Sequence, residues 1–199
     1  MFNDRYGLTQ AVIEGRKTMT RRMISGSPLL PADHIEEARY FAGFIQIVAN
    51  DEETLLEVKS RYKVGEVVAV AQSYRDVCAG GFEPDATILR LFEEQRIAGW
   101  TNKMFTKAEL MPYQIRITGI KCERLQDISD EDCFREGISE SWYESTDTTT
   151  YGYADEKKGT AVEFDTPRKA FATLIDKVSG KGTWARNPWV VVYEFELVK

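Results

Sequence analysis

The chain has 199 residues, with 26 lysines and arginines against 32 aspartates and glutamates (net charge −6) and 43% hydrophobic residues. That length suits one domain with insertions, the apolar content suits a real core, and the acidic balance argues against indiscriminate attraction to long nucleic acid. A single histidine, His34, excludes chemistry built on several histidines, so zinc catalysis and a Ser-His-Asp triad lose support.

Three cysteines, Cys78, Cys122 and Cys133, fit neither a metal knuckle nor a disulfide framework, and no metal or cofactor is expected. No run of roughly 18 apolar residues exists, and Met1 to Gly7 lacks an apolar signal region. A cytoplasmic protein without a membrane span is the expectation.

In chain order, Thr9 reads as an N-cap and Gly15 as a stop, predicting a short helix between them. Lys17 to Ile24 should run extended. His34, in Pro31-Ala-Asp-His-Ile-Glu-Glu, reads as a surface residue in the first turn of a helix. Phe41 to Ala49 alternates as a strand, and Gly65 to Tyr74 reads as a near-continuous apolar strand. Tyr113 to Cys122 has the clearest period of two, with Ile115, Ile117 and Ile120 inward and a bulge at Gly119.

Ser129 to Gly137 carries an N-cap serine, acidic residues in the first turn and a closing glycine, a complete short helix. Thr166 to Gly180 predicts the strongest helix, capped by Thr166, with Pro167 at its first position and Phe171, Leu174, Ile175 and Val178 on one face. Trp189 to Val198 closes the chain as a strand that alternates at its end. Residues 78–94 and 145–160 read as loop insertions. Together these elements predict an α+β fold around a compact β-barrel with short flanking helices, in a single domain over 1–199.

The charge pattern singles out Gly15-Arg16-Lys17-Thr18-Met19-Thr20-Arg21-Arg22, which puts four cations and two hydroxyls into eight residues of an acidic protein. Such a concentration predicts an anion-facing site. It is not a P-loop, because no lysine follows Gly15 directly, and Gly180-Lys-Gly-Thr lacks the upstream glycine. No GxGxxG follows a strand, and no glycosidase pair of carboxylates can be placed.

The helix, Glu14-Gly15-Arg16-Lys17-Thr18-x-Thr20-Arg21-Arg22 and Tyr62-x-Val64-Gly65-Glu66 resemble an ASCH domain of the PUA-like superfamily, in a form common in phage-like and bacterial proteins. Cys122 to Ile138 resembles the family's "ERLQDISEEDA..EGI" stretch, and Trp184-Ala-Arg-Asn-Pro-Trp189 with Phe195-Glu196 resembles its C-terminal block. The resemblance implies a barrel with a cleft that takes RNA, a nucleoside or a nucleotide. A branch of the family hydrolyses the acetyl group from N4-acetylcytidine, and its motif carries over here to Lys17, Thr20 and Glu136. The chain departs from the family at Ala71-Gln72, where an Arg-Glu pair is usual.

Amide hydrolysis needs a nucleophile, a base and a proton donor for the leaving amine. Thr20, Lys17 and Glu136 can fill these roles if Arg16, Arg21 and Arg22 lower the lysine's pKa by repulsion. Arg16, Thr18, Arg21, Arg22, Gln72 and Ser73 are the candidate binding residues. One geometric condition attaches: in a regular strand Lys17 and Thr20 face opposite ways, so the backbone must bend between them. Three readings stay open at this point: RNA or nucleotide binding, amidohydrolysis of an acylated nucleoside, and a non-catalytic adaptor.

Overall fold

A computed structural model describes residues 2–24, 35–49, 55–80, 86, 89–90 and 97–198. His34 and most of the 78–94 segment lie outside the described residues. The fold is mixed α+β, with ten strands in three antiparallel sheets among the described residues. A four-stranded sheet has the order β1 (Met19–Met23), β10 (Trp189–Leu197), β6 (Gln114–Arg124), β5 (Val67–Ala69). The meanders β2 (Ile35–Phe41), β3 (Phe44–Ala49), β4 (Leu55–Lys59) and β7 (Ser139–Tyr143), β8 (Thr148–Asp155), β9 (Thr160–Phe164) flank it.

The run Val190-Val-Val-Tyr193 explains the layering. All four residues are buried, because β10 sits in mid-sheet with a core on each face. Val190 and Val192 join Met19, Leu125, Phe171 and Leu174 in one core, beneath helix α4 (Pro167–Ser179). Val191, Tyr193 and Phe195 join Ile115, Ile117, Ile45 and Ile47 in the other, where the β2–β4 meander packs on the sheet. Ile120 lies against that second core, and the register of β6 on β10 shifts beside Gly119, as a bulge there requires.

The two capped helices form where their sequence signals place them. Ser129 accepts from Asp132 N at the start of α3 (Asp130–Arg135), and Thr166 accepts from Lys169 N at the start of α4. Elsewhere tertiary contacts override the local signals. Helix α1 (Leu8–Ile13) starts at Gly7, and Thr9 instead donates from inside the helix to Asp4 Oδ1 at 2.5 Å. The strand expected over Gly65 to Tyr74 is only three residues long, since Ser73 caps helix α2 (Tyr74–Ala79), whose Tyr74 and Val77 are buried with Met111.

Phe41 ends β2 rather than starting a strand, with Ala42 and Gly43 in the turn. Met23 and Met104 are exposed, whereas Met19 and Met111 are buried. The four-stranded sheet also stays open: among the described residues β1 and β5 are its edges, and it is a curled half-barrel.

The 145–160 segment is not a loop. Thr148 to Asp155 forms β8, and Thr160 starts β9. The threonines and tyrosines that hide any apolar period are strand formers, and Tyr153 is buried. Gly152 permits the close pairing, because a Cβ there would lie 2.2 Å from the Val162 carbonyl oxygen. Gly152→Ala is therefore expected to lower unfolding free energy by about 1–3 kcal/mol through overpacking, read as an earlier urea midpoint.

Candidate active site

Gly15, at φ +74°, ends α1 and turns the chain. Lys17 N then donates to Ala11 O, and Thr18 N donates to Arg135 O at the end of α3. Thr18 O accepts from Phe195 N, and from Met19 onward the chain runs as β1 in register with β10. The octapeptide thus splits into a short connection holding Lys17 and a strand holding Thr20. A bend does lie between Lys17 and Thr20, but the strand side chain that meets Lys17's partner Glu136 is that of Arg21, and Thr20, its neighbour in β1, faces the other way.

A cavity of about 800 Å³ runs along the free edge of β1. Thr20, Arg21, Arg22, Met23 and Ile24 line it in succession, which a strand can do only by presenting its edge. Lys17 and Glu136 share the same wall, while Phe171, Leu174 and Ile175 of α4 supply an apolar side. Among the described residues, Thr20 lines the cavity but makes no side-chain hydrogen bond to Lys17 or Glu136.

The Lys17 side chain is 2% exposed, and its Nζ donates to Glu136 Oε2 at 2.5 Å and to the Glu136 carbonyl at 2.7 Å. Glu136 closes α3, so the ammonium also meets the negative end of that short helix. Gly137 makes room for it: with φ +102°, a Cβ would stand 3.2 Å from Leu8 Cδ2 and 3.6 Å from Lys17 Cδ. Burial is the largest influence on Lys17 and pushes its pKa below the usual lysine range. The Glu136 carboxylate opposes that push, and Arg22 and Arg21 add to it.

Arg21 anchors the other carboxylate oxygen. Its side chain is fully buried; Nη1 lies 3.2 Å from Glu136 Oε1, and Nη2 lies 2.6 Å from Glu123 and 2.8 Å from Asp132. Burial alone would lower its pKa, but Glu136 and Glu123 hold it above the ordinary arginine value. The guanidinium is thus committed to three internal carboxylates rather than offered to a ligand.

Several candidate residues are not brought to the cavity. Arg16 bonds Glu14 on the surface and plays no part in the repulsion assigned to it. Thr18 Oγ1 accepts from Arg135 Nε at 3.4 Å instead. Ser73 is occupied with Asp76, and the Gln72 backbone N–H faces Met111 Sδ. Conversely, Arg61, Lys103 and Arg186 line the cavity without any signal in the sequence, since each comes from a distant segment. Lys103 Nζ holds the N-terminal wall through the Phe2 carbonyl and Asp4 Oδ1.

No metal-binding group of His, Cys, Asp or Glu occurs among the described residues. The thiols of Cys122 and Cys133 are pushed up to about 12, first by burial, so neither is an activated nucleophile. No helix among the described residues is long and apolar enough to cross a membrane.

No protein family, no curated protein and no solved structure matches the chain.

Removing Arg21 would leave Glu136 with Lys17 alone, and Glu123 and Asp132 with the more exposed Lys121 and Arg135. Arg21→Met is expected to cost about 3–5 kcal/mol of unfolding free energy, measured by urea titration.

Proposed function

We propose that the chain is an ASCH-type, PUA-like protein that binds a nucleoside, free or within a nucleotide, in the cavity at the β1 edge and removes an acyl group from it. N4-acetylcytidine is the type of substrate. The observation that carries this reading is Lys17, buried against Glu136 in the wall of a cavity that also presents Thr20. A lysine meant only to attract an anion would keep its ammonium in water. A cavity of about 800 Å³ is in the range of small-ligand sites.

The chemistry needs one proton shared between Lys17 and Glu136. With the amine neutral and the carboxyl protonated, Lys17 takes the Thr20 hydroxyl proton as Oγ1 attacks the acyl carbonyl. The C–N bond breaks, the leaving amine takes the Glu136 proton, and an acyl-threonine remains. Water then attacks the ester, giving its proton to the Glu136 carboxylate while Lys17 returns one to Thr20. Acid and amine leave, and the pair regains its starting state. Arg21 holds Glu136 Oε1, so only Oε2 faces the lysine.

Nucleotide or RNA binding without catalysis has its own support in Arg22, Arg61 and Arg186, which give the cavity wall a positive charge.

Incubation with N4-acetylcytidine and related acylated nucleosides, read by chromatography, separates the two. Turnover is expected, and Lys17→Ala or Thr20→Ala should lower kcat/KM at least about 100-fold. Thr20→Ser, which keeps the hydroxyl, should retain most of the activity. Turnover that survives Lys17→Ala would remove this mechanism, and wild type that binds short RNA but turns over none of these nucleosides would leave binding alone.

The pH profile tests the proton count. As pH falls, a second proton on the pair removes the lone pair of Lys17, so activity is lost on the acid side. Since burial depresses Lys17, the acid limb should lie below the ordinary lysine value of 10.5.

A further inference from the structure

The cavity does not end at the β1 edge. It shares Arg22, Met23, Ile24 and Arg61 with a narrower hollow of about 160 Å³. That hollow shares Lys59, Ser60 and Arg61 with a third of about 500 Å³, which Lys63 and Glu66 complete. Arg61 lines all three.

The turn from Lys59 to Glu66 that forms this outer hollow is tied down along its length. Ser60 N donates to Gly43 O, and Ser60 Oγ lies 3.2 Å from the Tyr193 hydroxyl. Gly65 N donates to Ile117 O, and Glu66 O accepts from Ile117 N. Three cations, Lys59, Arg61 and Lys63, are exposed on it, and none makes an ion pair among the described residues. The one carboxylate of that hollow, Glu66, accepts from the Lys63 backbone N–H at 2.9 Å.

In a chain with net charge −6, acids are available to neutralise surface cations. A fixed turn that gathers three of them beside a ligand cavity, with its only acid turned onto the backbone, is an anion site. The turn and the cavity share Arg61 in their linings, which places the anion beside the cavity's occupant.

We propose that the Lys59–Lys63 turn is a phosphate subsite, and that the nucleoside in the cavity arrives carrying phosphate esters that lie across Lys59, Arg61 and Lys63. The inference rests on the proposed function for the occupant of the cavity; the phosphate contacts stand on the turn itself. Phosphate esters come either from a free nucleotide or from a single strand.

The test is calorimetric binding of three probes, N4-acetylcytidine, cytidine 5′-monophosphate and a cytidine pentanucleotide, to wild type and to Lys59→Glu/Lys63→Glu. Neither lysine lines the main cavity, and neither has an internal partner to lose, so the nucleoside serves as the control. The variant is expected to lose at least about tenfold in affinity for a phosphorylated probe. A loss shared by the mononucleotide identifies a free nucleotide as sufficient, whereas a loss confined to the pentanucleotide identifies a strand. Wild type alone gives a second measure: between about 50 and 200 mM salt, three phosphate contacts give log affinity a slope of about −2 for the strand.

Equal affinity of wild type and variant for both phosphorylated probes, with no salt slope, overturns the proposal. Phosphorylated probes that bind through the turn when the acylated nucleoside neither binds nor reacts would overturn the deacylase reading and leave the subsite standing.

Discussion

The arrangement around Glu136 depends on one interaction, the grip of Arg21 on three carboxylates. Its guanidinium ties β1 to β6 through Glu123 and to the α3 segment through Asp132 and Glu136. With Oε1 held in this way, Oε2 is aimed at Lys17. Burying two cations and their acids carries a large desolvation cost, and an apolar cluster of the same shape would serve stability as well or better. What the charges add is orientation. The arginines that the sequence pattern assigns to a ligand therefore divide: Arg21 is internal scaffolding, and Arg16 is a surface residue paired with its neighbour.

The second constraint is the openness of the sheet. In a closed barrel β1 would be paired on both sides, and its residues would alternate between two separate environments. As an edge, it lets Thr20, Arg21 and Arg22 border a single space. The free edge is not left as a pairing hazard, because the N-terminal residues and α4 form the walls of that space.

Much of this was legible in the sequence wherever the signal is local. The serine and threonine caps of α3 and α4, the period of β6 and the bulge at Gly119 are written within a few residues. Lys17 and Thr20 could be named from their motif, and the need for a bend between them from strand geometry. Four features were not legible. Thr9 resembles a cap, but Asp4 takes its hydroxyl. The β8 strand hides its buried Tyr153 among threonines, and nothing near Gly152 announces the strand that passes over it. Glu136 could be named only through the family resemblance, since its burial depends on partners 115 and 119 positions earlier in the chain. Arg61, Lys103 and Arg186 join the cavity only through tertiary structure, which no window of sequence contains.

The pairing of β1 with β10 also sets when the site can come into existence. Met19 lies opposite Glu194, so the strand that carries Thr20 has its partner, among the described residues, far along the chain and must wait for it to be synthesised. Contacts of such sequence separation close late and slowly, because a long loop must lose its freedom first. The hairpins β2–β3 and β7–β8 can form while the chain is still growing, but the wall that joins Lys17, Thr20 and Glu136 cannot. The wall of the cavity that holds Thr20 therefore cannot assemble before β10 has formed.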